Sequence, residues 1–307
     1  MTTSRLTRRA MLAATASLPL GAALSTPLSA AAAMLGAAPP RFNRFTLGGF
    51  EVTTLLAGTR TVPEPQKIFG LNVSDQEFAD VSAANLIPAD KAQFFFTPTV
   101  VNTGSELILF DTGLNPAGIT DALNAAGHSP DQIDKVVITH MHGDHIGGLR
   151  GETGDTFANA SYVTGAVEFD AWSKMENEGF ETKVRPLADR MTMLDDGGSV
   201  TGGITAMAAF GHTPGHMAYR LESEGKQLLL AVDFANHYVW SLAHPDWEVR
   251  FDNDKTAAAV TRRKILAMLA ADKVPFVGYH MPFPGLGYVE PRDEGYKYLA
   301  ASYQHML

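Results

Sequence analysis

The sequence predicts an α/β fold in which two β-sheets pack against each other beneath outer helices. Apolar and amphipathic segments alternate along the chain after Pro40, so strands and helices are interspersed rather than segregated. Each cluster of ionisable residues follows the end of a predicted strand, which is where α/β proteins place their sites. No Gly/Ser-rich linker interrupts residues 40–307, and we therefore expect one domain.

The first half of this domain combines strands with one long polar excursion. Apolar alternation predicts a strand pair broken at Gly48-Gly49, and Ser74-Asp75-Gln76-Glu77 is a capping box that predicts a helix start. The excursion around that helix, residues 58–92, is longer than an ordinary connector and is typical of a lid. The predicted strands are 45–56 (the broken pair), 94–101, 107–110 and 135–139, and a helix is predicted over 119–126.

The second half adds strands and the clearest helix of the chain. That helix is predicted over 256–271, with Asp254 or Thr256 near its cap. A shorter helix is predicted from Ala166. The predicted strands are 161–163, 204–210, 217–221, 227–232 and 274–278.

Residues 1–33 are typical of an export signal rather than of a folded element. A basic start is followed by an apolar, alanine-rich stretch and by small residues suited to cleavage. The Arg8-Arg9 pair favours the twin-arginine route, although an ordinary Sec signal fits the same segment. We therefore expect a periplasmic or secreted protein. Removing this segment leaves 21 basic and 33 acidic residues, a net charge of −12.

The composition excludes several classes of function. The chain has no cysteine, which rules out disulfides, thiolate metal ligands and cysteine nucleophiles. It has no basic tract, so we expect no nucleic-acid partner. No segment after the signal is apolar over the length of a membrane span, and we expect none in the mature protein.

The strongest motif is a run of metal-binding residue types, His140-Met141-His142-Gly143-Asp144-His145. In an extended backbone His140 and His142 project to the same side and can share one ion. Gly143 permits a turn that directs Asp144 and His145 toward a second ion. Imidazole and carboxylate suit zinc, and also iron, manganese or cobalt. A lone histidine could simply satisfy backbone groups, but four clustered ligands after a buried strand predict a metal centre.

Three later features complete the candidate ligand set. Gly211-His212-Thr213-Pro214-Gly215-His216 follows a predicted strand, and Asp233 and His280 each follow another. Asp233 and His280 are each weak evidence alone. Together with the first cluster they provide enough ligands for two ions that share one carboxylate.

The order of these motifs resembles the metallo-β-lactamase superfamily. Asp111-Thr112-Gly113, upstream of the first cluster, fits the same pattern. The resemblance covers nearly the whole mature chain and implies an αββα sandwich with the site at one edge. It implies a first metal held by His140, His142 and His212, a second held by Asp144, His145 and His280, and Asp233 bridging them. It also implies that Asp111 and His216 orient the ligands.

Such a site predicts hydrolysis. Two divalent ions, most simply zinc, lower the pKa of a bridging water and polarise the electrophile, so we expect attack by a metal-bridging hydroxide on an ester, lactone or phosphotriester. Asp144 and Asp233 are the expected catalytic carboxylates, and Asp144 could carry a proton. No Gly-x-Ser-x-Gly elbow is present.

Within the superfamily, the chain is similar to the branch that contains methyl parathion hydrolase and related lactonases, through segments 97–104 and 280–287. Acyl-homoserine lactonases carry a tyrosine three residues after the bridging aspartate, where this chain has Asn236, and Tyr238 could replace it. The organophosphate hydrolases hold aryl groups in an aromatic pocket. The candidate pocket residues here are Phe96, Trp172, Asn236, Tyr238 and Phe283.

The sequence also bears on an alternative enzyme class and on the binding partners. A persulfide dioxygenase with a single iron uses the same fold, but the complete second ligand set favours a hydrolase. The expected partner is a small-molecule substrate. Relatives in this branch are commonly dimers, so a homodimer is also an expectation.

Overall fold

The computed structural model describes Met34, Gly36 and residues 38–306. The predicted export signal, residues 1–33, lies outside these described residues. From Pro39 onward the described chain folds as one compact unit. None of its helices combines the length and the apolar character needed to cross a membrane.

The described residues contain eighteen strands. They are β1 (Phe42–Leu47), β2 (Phe50–Leu55), β3 (Gly58–Pro63), β4 (Lys91–Phe96), β5 (Thr99–Asn102), β6 (Leu107–Phe110), β7 (Lys135–Ile138), β8 (Arg150–Gly151), β9 (Gly154–Asp155), β10 (Ser161–Gly165), β11 (Met191–Leu194), β12 (Ser199–Thr201), β13 (Ile204–Ala208), β14 (Met217–Ser223), β15 (Lys226–Val232), β16 (Phe276–Gly278), β17 (Leu286–Arg292) and β18 (Gly295–Ala300).

Five α-helices connect these strands in the described chain. They are α1 (Asp75–Ala84), α2 (Pro116–Ala125), α3 (Gly143–Ile146), α4 (Ala166–Ser173) and α5 (Lys255–Asp272). Side-chain caps start two of them as predicted: Ser74 accepts from the Glu77 N–H at the start of α1, and Asp254 accepts from the Ala257 N–H at the start of α5. Short 3-10 or π turns occur at Pro65–Lys67, Pro130–Gln132, Phe180–Val184, Arg185–Arg190 and Tyr303–Met306.

Fourteen strands form two seven-stranded sheets. Sheet one has the order β1-β2-β5-β6-β7-β10-β11, and sheet two has the order β12-β13-β14-β15-β16-β17-β18. The centre of sheet one is parallel across β6, β7 and β10, and β15 and β16 are parallel in sheet two. β3 and β4 form a separate antiparallel ribbon.

The hydrophobic core lies in three layers. Val101, Val137 and other inner residues of sheet one pack against Tyr219 and Leu230 of sheet two. The outer face of sheet one packs against α2, and the outer face of sheet two packs against α5. Because each sheet is buried on both faces, its central strands are almost continuously apolar. These layers confirm the predicted αββα sandwich.

The strand prediction was wrong over 94–101 and incomplete elsewhere. The segment 94–101 is two strands in different sheets, because Thr97-Pro98 interrupts the ladder and Pro98 has no N–H to donate. β3, β8, β9, β11, β12, β17 and β18 were not predicted. β17 and β18 form a hairpin, with Asp293 in its turn at a φ of 50°, that extends sheet two beyond β16.

Candidate metal centre

The predicted ligands meet because their strands end at one edge of the sandwich. His140 and His142 follow β7, His212 follows β13, Asp233 follows β15 and His280 follows β16. β13 and β16 run in the same direction as β15, so the chain leaves all three strands at the same edge of sheet two. α3 begins directly after His142 and carries the last two ligands, Asp144 and His145.

The first ligand group consists of three imidazoles. His142 Nδ1 lies 3.1 Å from His140 Nε2 and 3.0 Å from His212 Nε2. Tetrahedral zinc with imidazole ligands separates their nitrogens by about 3.3 Å, given Zn–N bonds of about 2.05 Å. These two separations are close to that value, and all three nitrogens lie within 4.8 Å of one another, so the group can hold one ion.

The second group contains Asp144, His145 and His280. Asp144 Oδ2 lies 3.2 Å from His280 Nε2 and 3.5 Å from His145 Nε2. Asp233 Oδ2 stands between the groups, 3.2 Å from His280 Nε2, 3.4 Å from His145 Nε2 and 3.4 Å from His212 Nε2. One carboxylate oxygen is thus within reach of nitrogens from both groups.

Unsatisfied polar atoms show that this donor set fits divalent metal ions. His145 Nε2 and Asp233 Oδ1 are buried and have no hydrogen-bond partner among the described residues. Such atoms are costly unless something pairs with them. Neutral imidazole and carboxylate donors suit zinc and related ions. Three groups of these residues bring their donor atoms within 4.8 Å of one another.

The pKa shifts of the candidate ligands are also those expected where a cation binds. Burial, reinforced by His212, lowers the pKa of His142 to about 3 and leaves a neutral ligand. Burial alone would raise the pKa of Asp144, but His145 and His280 lower it to about 2. Burial opposes protonation of His280, yet the carboxylates of Asp233 and Asp144 raise its pKa to about 10. A bound metal ion would replace that proton, since metal and proton compete for the same nitrogen.

Asp111 orients ligands of both groups. Its Oδ2 accepts from His145 Nδ1 at 2.8 Å, which directs His145 Nε2 into the centre. The same oxygen accepts from Thr139 Oγ1 at 2.8 Å, and Thr139 Oγ1 is 3.2 Å from His140 Nδ1. Asp111 is buried and has a φ of 60°, a conformation that Asp tolerates better than most residues.

A buried ion pair orients His212, and sequence reasoning missed it. Asp252 Oδ1 is 2.9 Å from His212 Nδ1, and Asp252 Oδ2 accepts from Arg262 Nη2 at 2.8 Å. Arg262 also donates to the carbonyl oxygens of Phe234 and Pro245. The arginine lies on the buried face of α5, and only the fold shows that it approaches the centre.

Glu168 connects the two histidine-containing loops and was also missed. Its Oε1 accepts from the Met141 N–H at 3.0 Å, between two ligands of the first cluster. Its Oε2 accepts from Thr213 Oγ1 at 2.8 Å and from the Gly215 N–H at 2.7 Å. Burial raises the pKa of Glu168. The backbone of both loops is therefore fixed by one carboxylate from α4.

The loops around His212 and Asp233 approach neighbouring backbone closely. A Cβ at Gly211 would lie 2.2 Å from the Ala258 nitrogen, and one at Gly215 would lie 2.1 Å from the Glu168 nitrogen. His216 Nε2 accepts from the Asp233 N–H at 3.2 Å. Val232, directly before Asp233, has a φ of 53°, which is unusual for a β-branched residue and costs on the order of 1–3 kcal/mol.

A cleft of about 450 Å³ opens beside the metal centre. Phe96 lines it, and Phe94 does so from the same face of β4, two residues earlier. Phe251 also lines the cleft and lies edge-on to Phe94, with the two ring centroids 6.3 Å apart. Sequence reasoning did not include Phe251 among the pocket candidates.

The other four pocket candidates lie outside this cleft, which corrects the sequence prediction. Trp172 packs in the core below sheet one, edge-on to His142. Asn236 is buried and donates to Asp233 Oδ2 at 2.9 Å. Tyr238 lines two neighbouring cavities, and Phe283 is half-buried away from the cleft wall. Residue type alone could not separate these aromatic side chains from those of the cleft.

Comparison with known proteins agrees with this geometry. The family model described as the metallo-β-lactamase superfamily matches residues 97–276, more than half of the chain. The protein belongs to the metallo-β-lactamase superfamily. The match begins just before β5 and ends at the first residue of β16, so it includes Asp111, both histidine clusters and Asp233 but stops short of His280.

Curated relatives of this superfamily member match only part of it. An exodeoxyribonuclease, WalJ, of Streptococcus pneumoniae is 28% identical over 43% of this chain and 48% of its own length. An N-acyl homoserine lactonase of Bacillus cereus is 22% identical over 49% of this chain and 57% of its own length. The chain thus spans about half the length of these relatives.

Solved structures match over most of the chain. AidC, described as a dizinc quorum-quenching lactonase in complex with a product, N-hexanoyl-L-homoserine, has a TM-score of 0.78 and 25% identity. The match covers 85% of this chain and 97% of AidC. The hydrolase AbOPH has a TM-score of 0.77 and 24% identity, over 87% of this chain and 99% of its own.

Proposed function

We propose that this protein is a dinuclear metal-dependent hydrolase that acts on a small-molecule ester, lactone or phosphotriester. The observation that carries the proposal is the position of Asp233 Oδ2, within 3.4 Å of nitrogens from both ligand groups. A carboxylate placed in this way suits two ions rather than one. The dizinc site stated for AidC supports zinc as the metal.

Two bound divalent ions would supply an activated water at neutral pH and polarise the oxygen of the scissile bond. The chain's own residues provide the rest. Asp111 and Asp252 hold the rings of His145 and His212 in fixed orientations. The Asp144 side chain is 23% exposed whereas that of Asp233 is 3% exposed, so Asp144 can exchange a proton with the cleft at its carboxylate.

The size and lining of the cleft favour a small molecule. Phe94, Phe96 and Phe251 form the aromatic part of a cleft of about 450 Å³, a size that matches a compact aryl or acyl ester. The curated relative WalJ is a nuclease, but the acidic charge of this chain disfavours a nucleic-acid substrate. The absence of a nucleic-acid partner stays a prediction.

The test combines metal analysis with three probes: an acyl-homoserine lactone, an aryl ester and methyl parathion. We expect about two metal ions per chain and turnover of at least one probe, because Asp233 Oδ2 lies beside both ligand groups and each group would hold one ion. Asp233→Ala should lower turnover by at least about a thousandfold, and Asp189→Ala, at an exposed position, should retain it.

One iron per chain with no turnover of any probe would contradict the proposal. It would instead favour a persulfide dioxygenase, which is tested by oxygen consumption with a persulfide of a small thiol. The presence of Asp144, His145 and His280 within ligand distance of one another favours the hydrolase.

We also propose that the chain is exported through residues 1–33 and that it forms a homodimer. The basic start and alanine-rich stretch of the sequence support export. Fractionation of expressing bacteria should place the shorter, mature protein outside the cytoplasm, and Arg8→Lys/Arg9→Lys should retain it inside if the twin-arginine route is used. Light scattering of the mature protein tests the dimer.

A further inference from the structure

The charged residues at the mouth of the metal cleft are arginines. Besides the candidate ligands, the only charged side chains that line the cleft within the described chain are Arg60 and Arg250. The chain as a whole carries 33 acidic and 24 basic residues. In the part of the chain that the structure describes, the cleft mouth has two cationic side chains and no carboxylate besides the candidate ligands, so its charge is opposite in sign to the net charge of the chain.

Neither guanidinium has an anionic partner among the described residues. Seven of the eleven described arginines form ion pairs with a carboxylate. Arg60 makes no such contact, and Arg250 contacts only the ring of Phe251 through its guanidinium, 5.2 Å from the centroid. An exposed arginine alone is ordinary, but two without partners at the rim of one cleft are available to a ligand.

The backbone fixes both arginines toward the cleft. Arg60 lies on β3 directly opposite Phe94 of β4, and alternate residues of this ribbon share one face. Thr61 and Gln93, on the opposite face, bond to each other at 2.7 Å. The Arg250 N–H donates to the Ile68 carbonyl at 2.8 Å, which attaches its loop to the other wall of the cleft.

We infer that the substrate of this site is an apolar ester or lactone that carries an oxyanion, a carboxylate or a phosphate, bound by Arg60 and Arg250. Guanidinium groups pair with both oxyanions in bidentate geometry. Phe94 pairs with Arg60 across the ribbon and lies edge-on to the His280 ring at 5.4 Å. Phe251 lies beneath the Arg250 guanidinium and beside Phe94, so both rings are placed to hold the apolar body. This inference rests on the proposed hydrolase function and names its substrate class.

The test compares two probes on the zinc-loaded mature protein by calorimetry. Adipate and hexanoate have the same chain length and one carboxylate for the metal centre, but only adipate has a second carboxylate for the arginines. We expect tighter binding of adipate by about fivefold per arginine, the upper range for an exposed ion pair. The preference should shrink between about 0.05 M and 0.5 M salt, because salt screens exposed charges.

Variants assign the preference to residues. In Arg60→Gln/Arg250→Gln the preference for adipate should disappear, while Arg220→Gln, an exposed arginine without an ion pair on β14, should keep it. Equal binding of both probes by the parent protein, or a preference that survives the double substitution, overturns the inference. Tighter binding of 5-phosphonopentanoate than of adipate would identify the oxyanion as a phosphate.

Failure of the inference is distinct from failure of the proposed function. The binding preference needs no turnover, and the metal content of each variant is measured in parallel. Turnover of 4-nitrophenyl butyrate and mono-4-nitrophenyl succinate then reports on hydrolysis. A protein that hydrolyses neither ester, the acyl-homoserine lactone nor methyl parathion, yet prefers adipate, contradicts the hydrolase and retains the anion site.

Discussion

At the scale of single residues, His145 and His212 each give one ring nitrogen to the metal centre and the other to a buried carboxylate. Asp111 and Asp252 are those carboxylates, at 2.8 Å and 2.9 Å. The pairing fixes which ring nitrogen carries the proton, so the ligand nitrogen keeps its lone pair. The residues of the substrate pocket are less constrained than these ligands, because an apolar wall can be built from many positions.

Asp252→Asn should weaken metal binding while keeping the shape of the side chain. The amide loses the charge that faces His212 and leaves the buried Arg262 without its anion. We expect zinc affinity to fall about 10–100-fold, measured by competition with a chelator. Asp246→Asn, which removes the exposed partner of Arg263, is the matched control and should leave the affinity unchanged. Equal affinities in both variants would contradict this role.

His237 should make folding sensitive to acid. Burial lowers its pKa to about 3, and its Nδ1 accepts from the Val239 and Trp240 N–H groups, so the folded ring is neutral. The unfolded ring, with a pKa of about 6.5, gains a proton as the pH falls. Because the folded pKa lies below the unfolded one, this contribution is complete above about pH 6.5 and is lost progressively below it, by about 2 kcal/mol at pH 5.

Denaturant unfolding at pH 7.5 and pH 5 of the parent and of His237→Asn measures this effect. The Asn oxygen can accept the same N–H groups but does not titrate. The difference in the free energy of unfolding between the two proteins should change by about 2 kcal/mol between these pH values. A constant difference would show that His237 does not contribute. Protonation of the metal ligands affects both proteins and cancels in the comparison.

At the scale of elements, the centre depends on helices that hold loops against strand ends. α4 supplies Glu168 to both histidine-containing loops, and α5 supplies Arg262 to the loop after Asp233. The β3–β4 ribbon presents one face, with Phe94 and Phe96, to the cleft. Arg60, Val62 and Ile68 also line the cleft, so the excursion 58–92, predicted as a lid, contributes to a wall of the candidate site.

Glu168→Gln should destabilise both loops together. The Glu168 carboxylate now accepts hydrogen bonds from the Met141 N–H, the Thr213 hydroxyl and the Gly215 N–H. The amide of Gln would place its own N–H group against one of these donors. We expect the free energy of unfolding to fall by about 2–3 kcal/mol, the cost of an unsatisfied buried donor near a lost charge-assisted bond. Chemical denaturation measures it. Glu181→Gln, on an exposed ion pair, should change it by less than about 1 kcal/mol, and equal effects would refute the assignment.

At the scale of the whole molecule, the metal centre joins the two sheets. Its ligands follow β7 of sheet one and β13, β15 and β16 of sheet two. Bound metal would therefore crosslink the two halves of the sandwich, in a chain that has no disulfide. Stability and metal occupancy are linked, because ions bind the folded chain.

Removal of metal should lower the melting temperature of the mature protein by about 10 °C. Free metal at a thousandfold excess over its Kd raises the free energy of unfolding by about 4 kcal/mol. Each 1 kcal/mol shifts the melting temperature of a domain of this size by about 2–4 °C. Differential scanning calorimetry before and after chelation measures the shift, and added zinc should restore it. An unchanged melting temperature after verified removal of metal would contradict this crosslinking role.

The sequence determined the fold class and the ligand types. Local periodicity showed the central strands, and the ligands cluster within a few residues of strand ends, so their spacing is readable without a structure. Phe96 could be placed on the cleft only as one candidate among several aromatic residues. The hairpin β17–β18 and the break at Thr97-Pro98 depend on pairing between distant strands, which local pattern does not encode.

Only the tertiary structure decided which side chains support the metal centre and which line its cleft. Asp252 lies 40 residues from His212, and Glu168 lies 27 residues from Met141, so neither contact leaves a local signal in the sequence. Arg60 and Arg250 share one mouth for the same reason. Ligand chemistry is a property of residue type and is legible in the chain. The orienting bonds and the substrate pocket are properties of packing, and they arise only when distant segments meet.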